Sequence, residues 1–208
     1  LLAPLRESIE RVVLFGPAHR VAVRGLATTS ASAFETPLGE IRIDTLAVAA
    51  SLAYPQVTVS DAAHAREHAL EVQLPFLQTV LRSFSLVPFA VGHVSTEDVA
   101  EVIDALWGGP ETLVVVSSDL SHYHPYAEAK RIDRATTDAI LAMSPTLDHE
   151  QACGATPING LLRCAKRRGL SPTLLDLRNS GDTAGDRGRV VGYASFAFFG
   201  HAAADEPG

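Results

Sequence analysis

The chain has 208 residues, of which 47% are apolar and 20% are charged, a composition typical of an ordinary globular protein. The 17 Lys and Arg residues against 24 Asp and Glu give a net charge of −7, and the basic residues are scattered, so no nucleic-acid surface is expected. No apolar stretch approaches the roughly 20 residues of a membrane-spanning helix and no signal peptide is evident, which favours a cytoplasmic protein without a membrane partner. The two cysteines are too few for a disulfide scaffold.

The length predicts one domain over residues 1–208, because no repeat or linker divides the chain. The first residue is Leu1 and a strand follows almost at once. We therefore expect an N-terminal segment to be missing from this chain.

Apolar runs and boundary signals alternate along the chain in the manner of an α/β protein. The predicted strands are 11–16, 41–43, 57–60, 85–91, 112–117, 173–177 and 190–199. The predicted helices are 45–53 with Asp44 as N-cap, 67–81 restarted at Pro75, 96–107 with Ser95 as N-cap, 125–143, and a last helix with Thr156 as N-cap that stops at Gly169. This order predicts a three-layer α/β/α sandwich with a central mixed, largely parallel sheet. The uniformly apolar run at 113–116 predicts that its strand is central.

Polar side chains follow two of the predicted strands. In open α/β sheets, ligand-binding groups gather beyond the carboxyl ends of the strands. His19 follows the first strand, and the segment from Ser118 to His124 follows the fifth, at the mouth of a predicted polar pocket. Asp119 and His122 are its candidate acid/base groups. The alternatives are a backbone-bonded loop imidazole for His19 and a capped turn for Asp119 and His122.

Cys153 lies just before a predicted helix N-terminus, whose dipole lowers a thiol pKa and favours the thiolate. The alternative is a small buried residue before a cap, and Cys164 inside the helix is expected to be inert packing. Glu67 and Glu71 are predicted to share one helix face with His68 beside them. A solvated face is the competing interpretation, since this cluster lacks the two-His zinc signature.

Six motifs in order give the chain a specific resemblance. It resembles the Memo family, whose bacterial members are called AmmeMemoRadiSam system protein B. The motifs are Gly16-Pro17-Ala18-His19, Glu35 to Gly39, Glu67 to Pro75, Ser117 to Tyr123, Cys153 to Ile158 and Gly192 to Ser195.

The resemblance implies a fold like that of class III extradiol dioxygenases, which are non-haem iron enzymes. It implies iron or copper as the metal, with the His after Gly-Pro and the Cys before Gly as ligands, here His19 and Cys153. The family's third ligand, a His in an upstream Pro-His-Ala-Gly-Tyr motif, has no counterpart in this chain. Asp119 and His122 then become the catalytic acid/base pair. The residues expected to orient ligands or contact substrate are Glu67, His68, Glu71, Ser118, Ser121 and Tyr123.

Three functions follow as expectations. The first is a metal-dependent, oxygenase-like or redox protein, and the second is a Cys-dependent hydrolase or amidase with Cys153 as nucleophile and a His as base. The third is a binding module for a small-molecule or phosphorylated ligand. Family resemblance also implies an AMMECR1-like protein and a radical SAM protein as partners.

Overall fold

A computed structural model describes residues 3–183 and 185–200 of the chain. The chain divides into two compact units, the first ending at Ser117 and the second beginning at Ser118. Within the described residues, no helix combines the length and the apolar content needed to cross a membrane.

The first unit contains a five-stranded sheet, a hairpin and helices around them. Its strands are β1 (Arg11–Pro17), β2 (Leu26–Thr28), β3 (Ala33–Thr36), β4 (Gly39–Arg42), β5 (Val57–Val59), β6 (Ser85–Val91) and β7 (Thr112–Val116). Its helices are a 3-10 turn (Ala3–Leu5), α1 (Thr45–Ser51), α2 (Asp61–His64), α3 (His68–Glu71), α4 (Leu74–Val80) and α5 (Thr96–Ala105).

The five-stranded sheet is mixed and largely parallel, which confirms the predicted α/β class. The strand order is β5-β2-β6-β1-β7, and only the β2–β6 pair within it is antiparallel. The core of this unit lies along β1 and β6, where Val12 to Phe15 are fully buried and the rings of Phe15 and Phe89 stack at 5.1 Å. An apolar run without polar alternation is what a strand buried on both faces requires.

One strand prediction was wrong in position. β7 was expected to be central, yet it is the edge strand of this sheet and all five of its residues are only partly buried. Branched apolar residues indicate a strand through their fit to a pleated surface, but they do not say which strands flank it.

The predicted N-caps Asp44 and Ser95 are confirmed, since their side chains accept hydrogen bonds from the backbone N–H groups of Ala47 and Asp98. The helix predicted over 67–81 is instead two helices, α3 and α4. Glu67 is the N-cap of α3 rather than part of its body, so it is 4% exposed while Glu71 is exposed. The expectation that these two carboxylates share a helix face was therefore wrong.

The second unit is an antiparallel sheet with helices packed on it. Its strands are β8 (His122–His124), β9 (Leu170–Asn179) and β10 (Val190–Gly200), in the order β8-β10-β9. Its helices are α6 (Tyr126–Leu141), α7 (Ala155–Arg167) and α8 (Ser180–Thr183). The two strands predicted at 173–177 and 190–199 thus exist, but they form a separate sheet, because the short connection through α8 lets them pair as antiparallel neighbours.

Two details of the helices in this unit differ from prediction. α7 begins earlier, with Gly154 as N-cap, so Thr156 and Pro157 lie in its first turn. The buried face of α6 carries Asp133, Thr136 and Thr137 between its apolar residues, whereas Ala135 is exposed. Hydroxyls and a carboxylate on a buried face are not detected by a search for apolar periodicity.

Gly16 determines how closely α3 approaches β1. A Cβ atom at this position would lie 3.1 Å from Leu70 Cδ2 and 3.2 Å from Ala69 Cβ, closer than ordinary van der Waals contact. Leu70 is 3% exposed, so it has little room to move. The close contact brings the N-terminus of α3, and with it Glu67, over the end of β1.

Adding a methyl group at Gly16 should strain this contact. We expect Gly16→Ala to lower the free energy of unfolding by about 1 kcal/mol, the low end of the cost of overpacking a core. Gly188→Ala is the matched control, because a Cβ there meets only Asp186 Oδ1 at 3.4 Å, and we expect a change within about 0.5 kcal/mol. Urea denaturation of the two variants measures both, and equal stabilities would contradict the role of Gly16.

Candidate functional site

The first unit brings His19 and Glu67 together. Glu67 Oε2 accepts the backbone N–H of His19 at 2.5 Å, and Glu67 Oε1 lies 3.0 Å from His19 Nδ1. The backbone N–H of Ala69 also donates to Oε1, at 3.1 Å. The carboxylate is buried, whereas the side chain of His19 is 47% exposed. One end of the imidazole is therefore anchored in the protein while the ring remains accessible.

Electrostatics decides which nitrogen of His19 carries the proton. Burial raises the pKa of Glu67, but the hydrogen bonds from His19 and Ala69 outweigh it, so the pKa lies below its usual value of 4.5. At neutral pH the ionised carboxylate can only accept hydrogen bonds. A neutral His19 must then donate from Nδ1, which leaves a lone pair on Nε2. Histidines that bind metals commonly have this arrangement, with a carboxylate holding the second nitrogen.

His68 and Glu71, the other candidates on this segment, contact each other instead. His68 Nδ1 and Glu71 Oε1 are 2.7 Å apart, and their side chains are 63% and 59% exposed. An exposed pair of this kind contributes about 0.5 kcal/mol or less. The competing interpretation of a solvated helix face fits these two residues.

The second unit brings Cys153 to the segment that begins at Ser118. The backbone N–H of Asp119 donates to Cys153 Sγ at 3.3 Å, and Ser118 Oγ lies 3.6 Å from the same sulfur. Ser118 Oγ also accepts the backbone N–H of Gly154 at 2.8 Å and donates to the carbonyl of Asp119 at 2.7 Å. The hydroxyl thus joins the loop before β8 to the start of α7.

The thiol of Cys153 does not have the lowered pKa expected of it. Burial raises the pKa, and the hydrogen bonds from Ser118 and Asp119 only partly offset that effect. A nearby helix N-terminus favours a thiolate, but removing the sulfur from water disfavours it more strongly here. Cys164 is fully buried, in agreement with a packing role.

Asp119 lies in the loop before β8, and His122 is the first residue of that strand. Asp119 Oδ2 and His122 Nε2 are 3.6 Å apart, too far for a direct hydrogen bond, and both side chains are partly exposed. Ser121 between them is fully buried. Tyr123 is 62% exposed and has a φ of 61°, which is unusual for a bulky residue.

Two charged residues near this loop were missed by the sequence analysis. Asp133 Oδ1 accepts the backbone N–H of Ser121 at 3.0 Å from within α6. The guanidinium of Arg189 lies 4.9 Å from the ring centroid of Tyr123. An Asp four residues after the buried Ala129 was a usable signal for Asp133, because i and i+4 share a helix face. No local pattern indicated Arg189.

Taken one at a time, the donor atoms of these two clusters suit a metal ion. His19 offers an oriented imidazole and Cys153 a sulfur, and both are ligands that iron and copper accept. Over residues 3–183 and 185–200, no three His, Cys, Asp or Glu side chains are grouped as a metal site would require. His19 and Cys153 belong to different units, so their convergence on one pocket stays a prediction.

A cleft of about 440 Å³ lies elsewhere in the first unit, lined by residues that include Arg6, Glu10, Arg42 and Arg82. It adjoins the start of β1 and β6, whereas His19 follows the end of β1. The cleft is therefore separate from the cluster formed by His19, Glu67 and the backbone N–H of Ala69, the His19 cluster.

Replacing Glu67 should change how the free energy of unfolding depends on pH, because the variant lacks the ionised carboxylate. We expect Glu67→Gln to lower the free energy of unfolding at pH 7 by about 1–3 kcal/mol, because buried donors lose part of their acceptor. A carboxylate with a lowered pKa adds stability above pH 4.5, and this stability is lost as the pH falls through the folded-state pKa. The difference between wild type and variant should therefore shrink on acidification in urea denaturation. Glu71→Gln is the exposed control, and an equal effect from it would contradict the account.

Alkylation tests the state of Cys153. Because burial raises the pKa of this thiol, we expect iodoacetamide at pH 8 to modify it at least about threefold more slowly than free cysteine. Peptide mapping by mass spectrometry separates Cys153 from Cys164. Faster labelling than the free thiol would show an activated nucleophile instead.

Comparisons with known proteins agree with the motifs. The family model described as Memo-like protein matches residues 3–197. A MEMO1 family protein of Aquifex aeolicus is 35% identical over 201 residues, covering 91% of this chain and 75% of that protein. One of Archaeoglobus fulgidus is 36% identical over 203 residues, covering 91% and 76%.

A solved structure supports the fold alone. An uncharacterized protein from Escherichia coli K12 superposes with a TM-score of 0.53 at 14% sequence identity, covering 90% of this chain and 86% of that one. Matches of the family model and of these relatives over most of the chain establish that the protein belongs to the Memo family.

Proposed function

We propose that the protein binds a redox metal ion, iron or copper, through Nε2 of His19, and that it acts on a small organic molecule as an oxygenase-like or redox protein. The observation that carries the proposal is the buried Glu67 carboxylate on Nδ1 of His19. It supports a ligand role because it selects one tautomer and leaves the lone pair on Nε2 of a half-exposed ring.

Cys153, in the second unit, is the second candidate donor for such an ion. Its sulfur already accepts an N–H group from Asp119, and thiolate ligands are commonly held by such backbone donors. The bound ion would supply one-electron chemistry. A cytoplasmic location belongs to the same proposal.

Asp119 and His122 would transfer protons in this proposal. Asp119 Oδ2 is 3.6 Å from His122 Nε2, so the carboxylate and the imidazole face each other. Both side chains are partly exposed, which lets a substrate reach them. His122 would give or take a proton at Nε2, and Tyr123 would contact the substrate beside it.

A Cys-dependent hydrolase is less well supported. Such an enzyme needs a thiol activated by a base, whereas burial raises the pKa of Cys153. Its sulfur contacts Ser118 and Asp119, whereas His149 Nδ1 lies 3.3 Å from the backbone carbonyl of Cys153.

Metal binding tests the proposal. Purified protein loaded with Fe(II) without oxygen, or with Cu(II), should retain metal after dialysis, measured by elemental analysis and calorimetric titration. We expect His19→Ala and Cys153→Ala each to weaken binding at least about tenfold, and Glu67→Gln to weaken it about 10- to 100-fold, as loss of an orienting carboxylate does.

His93→Ala is the matched control, because His93 is an exposed histidine of the same unit. Its metal affinity should equal that of the wild type. A wild-type protein that retains neither metal, or a His19→Ala variant that binds as the wild type does, would overturn the proposal.

A further inference from the structure

Asp133 is a buried carboxylate with a specific partner. It lies on α6 and is 2% exposed, and burial raises its pKa although the backbone N–H of Ser121 donates to it. Burying such a group costs free energy unless its contacts repay the loss of water. The position therefore calls for an explanation beyond helix packing.

Asp133 and Gly192 of β10 both hydrogen-bond the backbone of the Leu120-Ser121 stretch. Asp133 Oδ1 accepts the N–H of Ser121 at 3.0 Å. From β10, the carbonyl of Gly192 accepts the N–H of Leu120 at 2.8 Å, and the N–H of Gly192 donates to the carbonyl of Ser121 at 2.9 Å. Three hydrogen bonds from two elements thus hold one two-residue stretch of the loop.

The two holding residues also depend on each other. A Cβ atom at Gly192 would lie 2.1 Å from Asp133 Oδ2 and 2.5 Å from Oδ1. Any side chain there would push the carboxylate away from Ser121. The absence of a Cβ at Gly192 is thus what lets the carboxylate lie against β10.

The held stretch lies between Asp119 and His122. These two side chains do not bond each other directly, since their nearest charged atoms are 3.6 Å apart. Their separation must therefore be set by the backbone that joins them. That backbone is the Leu120-Ser121 stretch held by Asp133 and Gly192.

We infer that Asp133 is a positioning residue that, together with Gly192, sets the geometry of the Asp119–His122 pair. The catalytic meaning of this role rests on the proposed function, but the geometry does not. The residue acts through the backbone of Ser121 and does not itself meet a substrate.

Nuclear magnetic resonance of the full chain tests the inference without any metal. In Asp133→Ala, hydrogen exchange of the Ser121 amide should be at least about tenfold faster, because a hydrogen bond to a charged acceptor is lost. The ring signals of His122 should shift, while those of His149 stay in place. Asp133→Asn keeps an acceptor oxygen and should restore most of the wild-type behaviour.

Gly192→Ala supplies an independent variant that leaves the carboxylate present. It should reproduce the fast Ser121 exchange and the His122 shift of Asp133→Ala. Asp138→Asn is the control, an exposed carboxylate on the same helix paired with Arg134. It should leave both signals unchanged.

The inference is overturned if Asp133→Ala speeds exchange equally throughout α6 and α7, because that result describes general loss of stability. It is also overturned if a folded Asp133→Ala, or Gly192→Ala where Asp133→Ala does not fold, leaves the Ser121 exchange and the His122 ring signals as they are in Asp138→Asn. Failure of metal binding affects the proposed function alone.

Discussion

The His19 cluster depends on burying an ionised carboxylate. Glu67 is 4% exposed, and a carboxylate removed from water is costly unless donors replace the solvent. Two groups of His19 and one backbone N–H of α3 supply them. The same contacts tie the loop after β1 to the start of α3, where Gly16 permits close packing. The orientation of the imidazole thus follows from what the carboxylate requires.

The second unit also buries an ionisable group, Cys153, but the pKa of this group shifts in the opposite direction. Burial opposes the lowered pKa of Glu67 without reversing it, whereas it raises the pKa of Cys153 because desolvation outweighs the hydrogen bonds to the sulfur. The backbone of the Ser118 loop is held at several points by Ser118 itself, by Gly192 and by Asp133. Rigid backbone, rather than direct side-chain pairing, keeps the polar groups of this unit in place.

Much of the fold and part of the site could be predicted from the sequence. Apolar runs correctly predicted β1, β6 and β10, and Asp44 and Ser95 correctly predicted the starts of the helices that they cap. Motif order identified the family. Sequence could not place β7 at an edge or separate the β9–β10 sheet, because strand order depends on long-range pairing that local patterns do not encode. It likewise assigned Glu67 to a helix face, since an N-cap Glu is uncommon.

The orientation of His19 towards a ligand depends on Glu67 holding the ring with its proton on Nδ1. Nitrogen-15 chemical shifts of the His19 ring at pH 8, assigned by comparison with His19→Ala, measure this directly. We expect a protonated Nδ1 and an unprotonated Nε2, with the preference lost in Glu67→Gln. A proton on Nε2 in the wild type would contradict it, because the lone pair offered to a ligand would then be absent.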